Sequence, residues 1–200
     1  MNPNTYLKIV SFLVGGILLL TNLPGWAAAD QNKPKIYVIP VEGTVEPGMA
    51  AYIKRAVEQA KAEPDAVILF KMDTFGGRVD AAFEIVETIS GIPKGKSIAF
   101  VEKKAISAGA LIALASSTLV MKNHTLIGDC AHIIQSQEGQ KEAGEKTQTV
   151  LRAQFRSLAK KNNYPEVLAE AMVSKNMEVY RITIAGESQY MDKQSYDDLT

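Results

Sequence analysis

Ser107 lies in the stretch KKAISAGALIALASS (Lys103 to Ser117), a single hydroxyl between small residues at the mouth of an apolar run. Two readings fit it. Serine is a common helix N-cap, because its oxygen accepts from the orphan N–H groups of a first turn. The same hydroxyl is a nucleophile if a base and oxyanion donors stand beside it. DTFGG, Asp73 to Gly77, reads as a loop at the carboxyl end of a buried strand and directly before a helix, the place where open α/β folds bind ligands. Gly76 and Gly77 can turn their N–H groups outward near a helix N-terminus, where developing negative charge is stabilised, or they can simply make a tight turn. Lys146 opens EKTQTVLRAQFRSLAKKN, in which Thr147, Leu151, Phe155 and Leu158 form an apolar stripe. An amine beside such a stripe is either partly desolvated, which favours the neutral form a general base needs, or snorkels to water.

These groups need a frame, and the hydrophobic periodicity supplies one. KIYVIPV reads as a buried strand. A helix is predicted from Glu46, with Pro47 in its first turn and Met49, Tyr52, Ile53, Ala56, Val57 and Ala60 on one stripe. Ala66 to Met72 is again a continuous apolar strand. A second helix, Arg78 to Ser90, carries Val79, Ala82, Phe83, Val86 and Ile89 on one face and ends at GIPKGK before the short strand SIAFV. Strands that read as buried on both faces, alternating with amphipathic helices, predict an α/β fold with a largely parallel sheet flanked by helices. The tail YRITIAGESQYMDKQSYDDLT reads as a strand pair with an acidic end. No internal repeat or low-complexity block interrupts the chain.

Composition bounds the partners. The chain has 200 residues and 46% hydrophobic content, enough for one globular domain. Lys plus Arg equals Asp plus Glu at 22 each, so no net field points to nucleic acid. Cys130 is the only cysteine, which excludes an intrachain disulfide and a cysteine-based zinc site. The first residues read as a signal peptide, 1–29: Lys8, the short apolar core IVSFLVGGILLL, then small residues at Ala27 and Ala29. Its apolar run, Ile9 to Leu20, falls short of the roughly 20 residues a membrane span needs. Cleavage after Ala29 leaves a polar linker, 30–34, a domain over 35–200, and an exported, extracytoplasmic or membrane-associated protein.

Together, DTFGGRVDAAFEIVETI, AISAGALIALA and EKTQTVLRAQFRSLAKKNNYPEVLAEAMV resemble the NfeD-like membrane-associated serine proteases of the Clp protease and crotonase fold class. The resemblance runs from about Lys35 to Val173. It implies a Clp/crotonase-like serine protease domain with Ser107 as nucleophile, Lys146 as general base, and the N–H groups of Gly76, Gly77 and Ala108 as the oxyanion hole. It implies no metal and no organic cofactor. It further implies cleavage of hydrophobic peptide segments, a stomatin-like membrane protein as substrate or partner, and a homo-oligomer. Longer relatives continue into transmembrane helices and a small β-barrel domain, so the chain is expected to be a short form.

The sequence departs from the family pattern at Phe75, where the family usually has proline, and at Asp129, where it commonly has a small residue. A carboxylate near the dyad favours a charged lysine and so a weaker base. These departures keep open a non-catalytic assembly scaffold of the same fold. His132, 25 residues after Ser107, is the rival base by analogy with Clp proteases, and His124 in the polar KNHT turn is expected at the surface. Crotonase-like acyl-CoA chemistry is the remaining alternative, disfavoured by the export signal.

Overall fold

The computed structural model describes residues 34–130, 133–136, 139–142 and 145–199; the signal-peptide and linker readings fall almost entirely outside them. The chain alternates strand and helix: β1 (Ile36–Val45), α1 (Pro47–Lys61), β2 (Val67–Gly77), α2 (Val79–Ser90), β3 (Ser97–Ile106), α3 (Ala108–Leu114), β4 (Thr118–Met121) and β5 (Leu126–Gly128). Two short antiparallel strands follow, β6 (Ile133–Ser136) and β7 (Gly139–Glu142). Then come α4 (Glu145–Asn162), α5 (Glu166–Ala171), the hairpin β8 (Val179–Ile184) and β9 (Glu187–Asp192), and α6 (Lys193–Asp197). The hairpin is the strand pair read in the tail, and its acidic end winds into α6.

Strands β1 to β4 form a sheet in sequential order, and β5 pairs with the far end of β3; every pairing is parallel. The sheet grows in one direction, so right-handed crossovers place the connecting helices on the same face. That explains a departure from the expected two-sided burial. Along β2, Ile68, Phe70, Met72 and Thr74 are buried, whereas Leu69, Lys71 and Asp73 on the opposite face are only half-buried. The buried face joins Ile53 and Val57 of α1, Ile85 and Ile89 of α2, the whole of α3, and Leu151, Phe155 and Leu158 of α4 in one core. Each of the Val, Leu, Ile and Phe side chains among them contributes about 1.5–3 kcal/mol when removed from water.

The strands run further than their apolar runs. DTFGG is the end of β2 rather than a loop: Thr44 and Val45 face Gly76 and Gly77, and Asp73 and Thr74 face Lys104 and Ala105. Register shifts between Glu42 and Thr44 in β1, and after Met72 in β2, accommodate this extension. Likewise β3 continues through KKAI to the residue before Ser107.

Helix α4 is set against α3 by polar ties at one end. Asn162 Nδ2 donates to the Leu114 carbonyl (2.8 Å) and the Tyr164 hydroxyl to the Ser116 carbonyl (2.8 Å). Arg156 pairs with Glu170 of α5 at 2.7 Å. Among the described residues no helix is long and apolar enough to cross a membrane.

Candidate active site

Ser107 is the single residue between β3 and α3, and its backbone is bent sharply there, with φ 53° and ψ −119°. Non-glycine residues seldom adopt such angles, and a strained strand-to-helix turn is the device by which hydrolases lift a nucleophilic serine clear of its neighbours. The serine occupies the N-cap position, yet its side chain makes no cap hydrogen bond to α3. The capping reading therefore fails in the structure. What holds the turn is backbone: the Ser107 N–H donates to the Gly128 carbonyl of β5 (2.8 Å), and the Ser107 carbonyl accepts from the Ala110 N–H (3.0 Å).

On its other side Ser107 meets the end of β2. A Cβ placed on Gly76 would lie 2.8 Å from the Ile106 carbonyl oxygen and 3.0 Å from the Ala108 nitrogen. One on Gly77 would lie 2.2 Å from the Val45 carbonyl oxygen. The glycines are thus demanded by close approach as well as by positive φ, 95° at Gly76 and 158° at Gly77. The Gly76 N–H already has a partner, donating to Thr74 Oγ1 (2.9 Å). Ala108 is the first residue of α3, where an N–H has no intrahelical acceptor.

Thr74 was not singled out from sequence. It is buried at 1% exposure, its Oγ1 donates to the Gly43 carbonyl (2.5 Å), and its methyl fills the space a side chain on Gly109 would need, 2.6 Å from that Cβ. Its signal was present, since Thr74 keeps the even-numbered parity of Ile68, Phe70 and Met72 once β2 is extended. Cys130 was likewise assigned no role. Its thiol donates to the Ser107 carbonyl (3.4 Å), its N–H donates to the Met172 carbonyl (2.9 Å), and burial, with the Asp129 carboxylate beside it, pushes the thiol up to about 12.

Between α2, α3 and α4 a small apolar pocket opens at the serine, lined by Val79, Ala82, Ser107, Ala108, Leu111, Cys130, Leu151 and Phe155. Because Asn162 sits at the C-terminal end of α3 while Leu151 and Phe155 share the pocket at its N-terminal end, α4 runs antiparallel to α3. The first turn of α4 therefore lies towards the serine's end of α3. Lys146 is in that turn, and its side chain lies outside the described residues, as does His132. His124 is exposed at φ 63°, the surface turn expected of it. Asp129 is exposed at φ 50°, next to Cys130. Among the described residues no cluster of His, Cys, Asp or Glu is arranged to hold a metal ion.

Residues 35–193 match the family described as NfeD1b, N-terminal domain. The membrane protein NfeD1b of Bacillus subtilis is 35% identical over 171 residues, which make up 84% of this chain and 37% of the relative. The membrane-bound protease PH1510 of Pyrococcus horikoshii is 32% identical over 146 residues, 71% of this chain and 33% of that protein. The chain thus spans about a third of the length of each of these relatives. A serine-to-alanine variant of the 1510-N membrane-bound stomatin-specific protease superposes with a TM-score of 0.66 at 31% identity, covering 72% of each chain. A lysine-to-alanine variant of the same protease, in complex with a substrate peptide, has a TM-score of 0.66 at 27% identity, covering 84% of this chain and 73% of that one.

Proposed function

The chain belongs to the NfeD1b N-terminal domain family, and on that premise we propose that it is a serine endopeptidase working through a Ser107–Lys146 dyad. The observation that carries this reading is the uncapped Ser107 on its strained turn, pressed against Gly76 at the end of β2 and open to an apolar pocket. Relatives described as a stomatin-specific protease, altered separately at a serine and at a lysine, support the same assignment.

In the proposed reaction the neutral Lys146 amine takes the Ser107 hydroxyl proton as Oγ attacks a peptide carbonyl carbon. The carbonyl π electrons move to oxygen. Ala108 N–H, from the start of α3, and the N–H groups of Gly76 and Gly77 receive that oxyanion, the Gly76 donor being shared with Thr74 Oγ1. Collapse of the intermediate breaks the C–N bond, and the leaving amine takes its proton from the Lys146 ammonium. Water, deprotonated by Lys146, then attacks the acyl-enzyme ester and releases Ser107.

Val79, Leu111, Leu151 and Phe155 make the surroundings of Ser107 apolar, which favours apolar over charged substrate residues, so hydrophobic segments of a stomatin-like membrane protein are the proposed targets. Export and membrane association, as well as self-association into a homo-oligomer, are part of the same proposal.

Treating the protein with a fluorophosphonate probe tests the reading. The expected result is a single adduct on Ser107, absent from Ser107→Ala. An unlabelled Ser107 in folded protein, together with no cleavage of hydrophobic peptides, overturns it in favour of an assembly scaffold.

A further inference from the structure

Phe75 is the most exposed large apolar side chain among the described residues, at 76%, and its neighbour Gly76 is packed against Ser107. Its ring is nevertheless held in place. The Lys104 ammonium lies 4.3 Å from the ring centroid, a cation–π distance. That ammonium donates to Asp73 Oδ1 (2.5 Å), and Lys103 donates to Asp73 Oδ2 (2.9 Å). Hydrogen bonds from Lys104 and then Lys103 keep the Asp73 carboxyl below its ordinary range, so the brace stays charged at neutral pH. Asp73 and Lys104 are also register partners on β2 and β3.

We propose that Phe75, braced by Lys104 and Asp73, is a specificity residue: a platform for an apolar side chain of the substrate peptide beside the scissile bond. The proposal rests on the proteolytic reading and adds a second contact to it. A rigid aromatic ring presented to water adds little to folding, whereas in a complex it provides contact area at low entropic cost. Position decides the occupant. Phe75 is one residue, about 3.8 Å of chain, from the glycine that abuts the nucleophile. It alternates in parity with Thr74, whose side chain is turned into the helical side of the sheet where the apolar pocket lies. An extended peptide points successive side chains in opposite directions, so one bound across Ser107 can turn one residue towards the apolar surroundings of the serine and cover Phe75 with a neighbour. The Lys104 ammonium already lies against the ring, so the platform favours an apolar residue, and a substrate lysine placed there meets a like charge.

The test uses full-length Ser107→Ala protein and fluorescein-labelled apolar decapeptides in which each position in turn is leucine, serine or lysine, read by anisotropy. At one position leucine should bind about tenfold tighter than serine, and lysine weakest. Adding Phe75→Ala should erase the leucine preference at that position alone, Phe75→Leu should keep most of it, and Lys104→Met should relieve the penalty on lysine. In the Ser107-intact protein, Phe75→Ala should raise KM for the leucine peptide with little change in kcat or in fluorophosphonate labelling. If Ser107 labels and cleaves but Phe75→Ala alters no position's preference, the platform is wrong and the protease reading stands. If Ser107 is inert while peptide binding still depends on Phe75, the protease reading falls and with it the specificity role, leaving Phe75 a peptide-binding contact only. Absence of any peptide binding overturns the platform.

Discussion

A Cβ on Gly76 would stand 2.8 Å from the Cβ of Ser107, so the end of β2 and the nucleophile's turn meet across the space of one missing methyl group. Gly76→Ala must therefore move one of them, and its φ of 95° adds backbone strain. The expected cost is about 1–3 kcal/mol of stability. Labelling of Ser107 should nearly cease in protein that circular dichroism shows to be folded. Labelling at the wild-type rate would mean that β2 does not line the reacting site.

Thr74 ties that strand end to Gly43 and Gly76 through one hydroxyl. Thr74→Val keeps the shape and leaves the buried Gly76 N–H without that partner, a loss of about 1–3 kcal/mol, while the carbonyl of exposed Gly43 can turn to water. Thr74→Ser keeps the hydroxyl and loses the methyl packed against Gly109. Peptidase activity should fall mainly in kcat for the valine variant, and the serine variant should retain more of it. Equal loss in both would assign Thr74 to packing alone.

A nucleophile and its base act as a unit, so Ser107→Ala, Lys146→Ala and the double variant should reach one common floor rather than lose activity additively. Wild-type activity should climb towards alkaline pH as the lysine base becomes neutral. His132→Ala should remain active. A dead His132→Ala beside an active Lys146→Ala would replace the dyad with a serine–histidine arrangement.

The Cys130 thiol, pushed up to about 12 by burial, should resist iodoacetamide at pH 8 in the native protein and react readily in urea, as read by intact mass. Its folded value lies above the ordinary 9.0, so its contribution to stability is complete below pH 9 and is lost as pH rises from there towards 12. Cys130→Ala should flatten that part of the melting-temperature profile. Fast native alkylation, or an unchanged profile, would contradict the buried thiol.

Much of this protein was legible in one dimension. Continuous apolar runs and apolar stripes of period 3.6 are local signals, and they marked the core segments of β1, β2 and β3, the helices α1 and α2, and α4 with the bounds observed. Gly76, Gly77 and Ser107 stood out by residue type, each with a turn or cap as its alternative, whereas Ala108 entered only through the family resemblance. The ends of the strands were not legible. Asp73 to Gly77 carry no apolar run, and only the neighbouring β1 and β3, together with their register shifts, hold them as strand. Whether Ser107 capped a helix or stood free was likewise undecidable, since either reading uses the same serine before the same small residues. The strain at φ 53° comes from β5 on one side and Gly76 on the other, contacts between segments distant in sequence. The same holds for the Thr74 clamp, the Cys130 thiol on the Ser107 carbonyl and the Lys104 brace beneath Phe75. Each joins residues 23 to 31 positions apart, and a periodicity read over a dozen residues carries no information about which such pairs close in space.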